Sequence, residues 1–216
     1  INPDDVIQSY GADAMRMYEM FMGPLEVSKP WSTSGIAGIK RFLDRVWRLS
    51  AQPISDEQPP GSLLKVLHQT IRKVSRDTGT LQFNTAIAQM MIFITEAVKH
   101  EVLYRNVWQP FVLLLAPYAP HLAEELWEKL GNDPSIAYRR YPDWDEELAK
   151  EDTVTVVFQI NGKIRAREEL PAGLSAAQLE SKALEHPRIR ELLAGKKPDK
   201  VIAVVDKLVN LVVRSG

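Results

Sequence analysis

The chain has 216 residues, 45% of them hydrophobic and 25% charged, with a formal net charge of −1. This is ordinary globular composition, long enough for two modest domains, and a near-neutral balance points to no partner by itself. Cysteine is absent, which excludes disulfides and thiolate metal sites, and no apolar run approaches the ~20 residues of a membrane span. Both features suit a cytoplasmic protein with no membrane partner. The sequence opens on Ile1 without a signal peptide and reads as an excised fragment whose upstream part is missing.

The first two thirds carries helical signals. In "NPDDVIQSYG", Asn2 is placed to cap, Pro3 to start the helix and Gly11 to stop it. "ADAMRMYEMFMG" is a nearly all-round apolar helix with Arg16 embedded in it. After a loop in which Ser32 to Ser34 can cap, "IAGIKRFLDRVWRLS" sets Ile39, Phe42, Leu43 and Val46 on one face. Arg41, Arg45 and Arg48 fall on another. "SLLKVLHQTIRKVSRD" repeats the pattern beyond a Pro-rich break, with Lys65, Arg72 and Arg76 facing outward. "FNTAIAQMMIFITEAVKH" is apolar enough for a central helix, and Pro117 and Pro120 divide the next segment in two.

Charge then marks a boundary. "DWDEELAKED", residues 143–152, holds six acids and one lysine, a composition that favours an extended, self-repelling connector. Residues 153–216 carry 11 Lys and Arg against 7 Asp and Glu, a net of +4, where residues 1–152 carry the remaining 16 and 21, a net of −5. The apolar period also drops from 3.6 to 2, giving two strands, two helices and two strands (ββααββ) in a small basic α+β unit.

Catalytic chemistry finds little support. His68, His100, His121 and His186 are scattered without metal-ligand spacing, and capping or packing is the commoner use for His121 at a helix start. No Gly-rich phosphate loop is present. Recognition fares better. The two arginine stripes suit extended, salt-dependent phosphate contact, or else are solvated faces.

The hairpin "VFQINGKIRAR" sharpens the choice. A two-residue Asn161-Gly162 turn pairs Ile160 with Lys163 and puts the cations on the apolar face. A three-residue turn pairs Gln159 with Lys163 and sets Lys163, Arg165 and Arg167 on one polar face. Clean two-faced sheets favour the second register. Three cations about 7 Å apart then suit a nucleic-acid backbone or, equally, protect an edge strand.

Several of these stretches resemble a known family. "INPDDVIQSYGADAMRMYEMFMGP" resembles the segment after the KMSKS loop of class I aminoacyl-tRNA synthetases for large aliphatic amino acids. "GIKRFLDRVWRL", "FNTAIAQMM" and "LLLAPYAPHLAEELWEKLG" resemble their anticodon-binding helical domain. "VVFQINGKIRAREELP" and "KLVNLVV" resemble the C-terminal domain of bacterial leucyl-tRNA synthetases, and the resemblance covers essentially the whole chain.

The resemblance implies a mainly α helical bundle of the class I anticodon-binding fold, followed by the small α+β domain. Its boundaries are stem-contact-like helices at 1–32, the bundle at 33–142, the acidic linker at 143–152 and a tRNA-binding domain at 153–216. It implies part of an ATP-dependent ligase that joins leucine to tRNA(Leu). The catalytic and editing sites, with ATP and Mg, would lie in a missing domain, so the fragment alone would be inactive and hold no cofactor. The partners would be tRNA(Leu) and that catalytic domain in cis, and the fragment a monomer. Lys163, Arg165 and Arg167 become the candidates for contact with the tRNA elbow, with Lys196, Lys197 and Lys200 as weaker ones. Arg16 matches a family arginine expected to join these helices to the absent catalytic core. The competing readings are the corresponding part of a valyl or isoleucyl enzyme, and a stand-alone protein-interaction scaffold.

Overall fold

The computed structural model describes residues 1–24, 26–151 and 153–213. Asp152 of the expected connector and the last three residues of the expected C-terminal domain lie outside them. The chain divides into two compact units, Ile1–Lys150 and Glu151–Gly216.

The first unit is helical. α1 (Pro3–Tyr10) starts as its sequence dictates, with the Asn2 side chain accepting from the Asp4 N–H and Pro3 at the first position. Gly11, at φ 92°, turns the chain directly into α2 (Ala12–Phe21). α3 (Thr33–Leu49) begins at Ser32, but the Ser32 hydroxyl faces Ser34 at 2.9 Å and caps no backbone N–H. α4 (Gly61–Gly79), α5 (Phe83–Ala97), α6 (Arg105–Leu115) and α7 (Pro120–Lys129) complete the bundle. The Pro-rich break also holds a two-residue strand that the sequence does not announce: β1 (Ile54–Ser55) pairs in parallel with β2 (Leu103–Tyr104).

α5 lies at the heart of the core, with Ala86, Ile87, Met90, Phe93 and Ile94 fully buried. Phe93 stacks on Phe111 of α6 at 4.5 Å between ring centroids. One glycine is fixed by close approach. A Cβ on Gly35 would sit 2.6 Å from the ring of buried Tyr18, whose hydroxyl accepts from the Ser32 N–H and whose ring meets Trp31 edge-on.

Arg16 has its partner within this unit. Its guanidinium donates to the Pro117 carbonyl at 3.2 and 3.0 Å, in the bend between α6 and α7, so it has a partner without the catalytic core that the resemblance implied. The reason lies in the bend. The His121 N–H, which would serve that carbonyl in a continuous helix, turns instead to the Asp13 carboxylate at 3.4 Å.

The second unit is the expected ββααββ arrangement. β3 (Thr153–Ile160), β4 (Lys163–Pro171), β5 (Lys200–Val204) and β6 (Leu208–Val212) form one sheet in the order β4-β3-β6-β5. β3 runs antiparallel to β4 and parallel to β6. α8 (Ala176–Glu185) opens with a capping box between Ser175 and Gln178, and α9 (Pro187–Leu193) follows from Pro187. Leu179, Ala183 and Ile189 from these helices cover Val156, Phe158, Val209 and Leu211 on one sheet face. Among the described residues of this unit, no helix lies on the other face.

Candidate nucleic-acid interface

Each cluster of cations the sequence singles out meets different surroundings. On α3 the alternation of apolar and basic positions holds: Ile39, Phe42, Leu43 and Val46 are buried, and Arg41, Arg45 and Arg48 are exposed. The three span about 10 Å at 1.5 Å per residue. Among the described residues none of them has a carboxylate partner. The neighbouring acid, Asp44, is held by Lys40 at 2.5 Å and offers only its backbone carbonyl to Arg48.

The α4 stripe differs, because the acidic connector lies on it. Up to Lys150 the connector is packed and not extended: Ala149 is fully buried, Trp144 packs on the bundle core, and Gln69 donates to the Lys150 carbonyl. Opposite charge outweighs self-repulsion here. Glu146 reaches Arg72 at 3.3 Å and Arg76 at 3.6 Å. Its carboxyl is held below the usual carboxylate range, first by the Trp144 indole N–H and then by Arg72. The Asp145 N–H donates to His68 Nδ1 at 3.0 Å, and burial lowers the pKa of that imidazole. Arg72 and Arg76 therefore already face an anion of the chain itself.

The hairpin adopts the two-residue turn. Asn161 and Gly162 both have positive φ, 50° and 76°, and Ile160 pairs with Lys163. The expected three-residue turn is thus corrected. The twist of the paired strands favours the tighter turn, and the face change comes later, at a bulge. Gln159 pairs with Ile164 and Phe158 with Ala166, which leaves Arg165 as an extra residue without a cross-strand partner. Lys163 accordingly lies on the Ile160 side. Arg167 lies on the opposite, open face, paired with Val157, and Arg165 stands exposed at the bulge itself. The three cations do not all share one face.

The turn is tied to the end of β6. The Asn161 side chain donates to the Val213 carbonyl and accepts from the Val213 N–H, both at 2.9 Å, and the Gly162 N–H donates to Asn210 Oδ1 at 3.0 Å. Asn161 is expected only as a turn residue and Asn210 is not singled out, although a lone Asn inside the apolar strand "LVNLVV" signals a polar side chain in need of a partner. Because β6 is parallel to β3 and antiparallel to β5, the turn and the start of β5 lie at the same end of the sheet. Lys200 opens β5 there, paired with Val212, and Lys196 and Lys197 stand exposed in the loop before it. Lys200 also alternates with Ile202 and Val204 on the open face. The edge strands β4 and β5 are three strand spacings, ~14 Å, apart.

His121 serves as structure. Its Nδ1 lies 2.8 Å from Asp13, whose carboxylate also takes the Leu122 N–H at 2.8 Å and so caps α7 from another helix. Among the described residues no three His, Asp or Glu side chains gather as metal ligands, and no helix is long and apolar enough to cross a membrane.

An arginine-faced helical bundle followed by a small basic α+β unit belongs to a recognisable class. The profile of the family "Anticodon-binding domain of tRNA ligase" matches residues 61–181, more than half the chain, and crosses from the first unit into the second. The chain belongs to that family. It is 48% identical over 215 residues to a leucine–tRNA ligase of Borreliella burgdorferi (strain ZS7), covering 99% of this chain and 26% of that protein. It is 46% identical over 221 residues to one of Chloroherpeton thalassium, covering 99% and 28%. The chain thus spans about a quarter of the length of these relatives. The crystal structure of the ternary complex of Agrobacterium radiobacter K84 agnB2 LeuRS, tRNA and LeuAMS superposes with a TM-score of 0.72 at 28% identity, over 100% of this chain and 30% of that one.

Proposed function

We propose that this chain is the tRNA-binding part of a cytoplasmic leucine–tRNA ligase, and that it positions tRNA(Leu) for a reaction carried out elsewhere in that enzyme. One observation carries the reading: the likeness to leucine–tRNA ligases runs over 99% of the chain, through both units, and so includes the basic hairpin. The solved neighbour in complex with tRNA supports the same partner.

In this reading the exposed arginines of α3 meet RNA phosphates along the inner side of the tRNA. Arg167 on the open sheet face and Arg165 at the bulge, with Lys163, Lys196, Lys197 and Lys200 at the turn end, meet the elbow. Arg72 and Arg76 contribute only when Glu146 yields them. ATP with Mg belongs to the aminoacylation chemistry of the whole ligase, and no residue of this chain is assigned to it.

The test uses the whole ligase. Lys163→Ala with Arg165→Ala raises the KM for tRNA(Leu) and leaves leucine-dependent pyrophosphate exchange unchanged. Unaltered tRNA affinity in that variant refutes the hairpin assignment. Equal binding of tRNA(Val) by the isolated chain would instead favour the valyl alternative.

A further inference from the structure

Arg41, Arg45 and Arg48 do not stand on a flat helix surface. With Gly38 and Phe42 of α3 and Met91 and Thr95 of α5 they enclose a pocket of about 280 Å³. Small-molecule sites run from ~300 Å³ upward, so the space suits a group of nucleotide size or less. Its floor is apolar, formed where buried Phe42 and half-buried Met91 meet the bundle core. Its rim is three guanidiniums without a carboxylate partner among the described residues. Gly38 keeps the space open. A Cβ there would meet nothing nearer than the Arg41 guanidinium at 3.8 Å, so neither backbone geometry nor a crowded neighbour requires glycine. A glycine inside a helix weakens it, and here the helix gives up that stability at the mouth of a cationic pocket.

An RNA duplex is convex and far wider than this opening, and can only rest on the rim. A single nucleotide can enter. Guanidinium groups suit both halves of such a ligand, since they pair with phosphate in a fork and stack flat on bases. We propose that this pocket holds one nucleotide turned out of an RNA helix, its base against Met91 and Phe42 and its phosphates on the arginines. The inference rests on the reading that the chain binds tRNA, and adds to it a specific contact with an unstacked base.

The experiment fills the pocket and keeps the charges. Gly38→Phe in the full chain retains all three arginines. It is expected to bind a tRNA(Leu) transcript about tenfold more weakly, in line with the loss of one base contact. The slope of log affinity against log salt stays the same, because the phosphate contacts remain. Chemical probing loses the protection of one unpaired nucleotide. Met91→Trp fills the same space from the facing helix and serves if Gly38→Phe fails to fold. Affinity within about twofold of the parent chain in a folded filled variant, while Arg45→Ala still weakens binding, overturns the pocket and leaves the tRNA reading standing. No binding of tRNA by the parent chain at low salt overturns both.

Discussion

Asp13 and Arg16, three residues apart on α2, grip opposite sides of the same bend. Asp13 accepts the first free N–H groups of α7, and Arg16 donates to the Pro117 carbonyl that the bend leaves over. A short helix near the chain's start thereby supplies the groups that a broken helix elsewhere lacks. Arg16→Met removes both donors and is expected to lower unfolding free energy by about 1–2 kcal/mol, as for a charged hydrogen-bonding group. Urea denaturation measures it. Arg16→Lys, unable to form the fork, should recover less than half of the loss.

Gly35 is predicted to be intolerant for a steric reason. In Gly35→Ala the new methyl would lie 2.6 Å from a Tyr18 ring carbon and 2.8 Å from its hydroxyl. Overpacking against a buried ring costs about 1–3 kcal/mol, a fall in Tm of roughly 2–4 °C for each kcal/mol at this size. Calorimetry of Gly35→Ala alone and combined with Tyr18→Leu would show strong coupling between the two sites.

Glu146 is expected to restrain RNA binding. Its carboxylate faces Arg72 and Arg76, so Glu146→Gln removes a competing anion from the α4 stripe. Affinity for tRNA at low salt should rise about threefold, with a steeper salt dependence. A titration at two salt concentrations decides this.

Replacing Arg41, Arg45 and Arg48 together by Ala tests the α3 ridge. If each meets one phosphate, the slope of log affinity against log salt falls by about two to three. An unchanged slope would place the RNA elsewhere on the chain.

Attachment of the acidic segment is expected to weaken in acid. Burial holds His68 below its ordinary pKa of 6.5, with Asp145 pulling the other way, and only an unprotonated Nδ1 accepts the Asp145 N–H. Because the folded pKa is the lower one, this contribution is intact above about pH 6.5 and is lost as pH falls through the folded value. The protection factor of the Asp145 amide against hydrogen exchange should therefore fall on acidification, and His68→Phe should remove that fall.

Helix positions and the ββααββ order were legible because periodicity and end signals are local: Asn2, Pro3, Ser175 and Pro187 act within a few residues of themselves. What stayed hidden depends on partners distant in sequence. Asp13 meets α7, 109 residues on from its own position, and Glu146 meets Arg72, 74 residues back. Composition made residues 143–152 look self-repelling, yet Arg72 and Arg76 of α4 hold Glu146. At the candidate interface, the exposed arginines of α3 were legible from spacing alone, whereas the pocket beside them needed α5 in place. The hairpin was half legible. Asn-Gly announced the turn, but the sequence offers no local mark for the extra residue at Arg165.

That extra residue divides the hairpin into two segments with opposite phase. From Ala166 onward the side-chain pattern is set by β3, whereas Lys163 answers only to the turn. A different loop engrafted at Asn161-Gly162 would redirect Lys163 and leave Arg165 and Arg167 where they are, so the tip can be re-engineered independently of the strand that follows it.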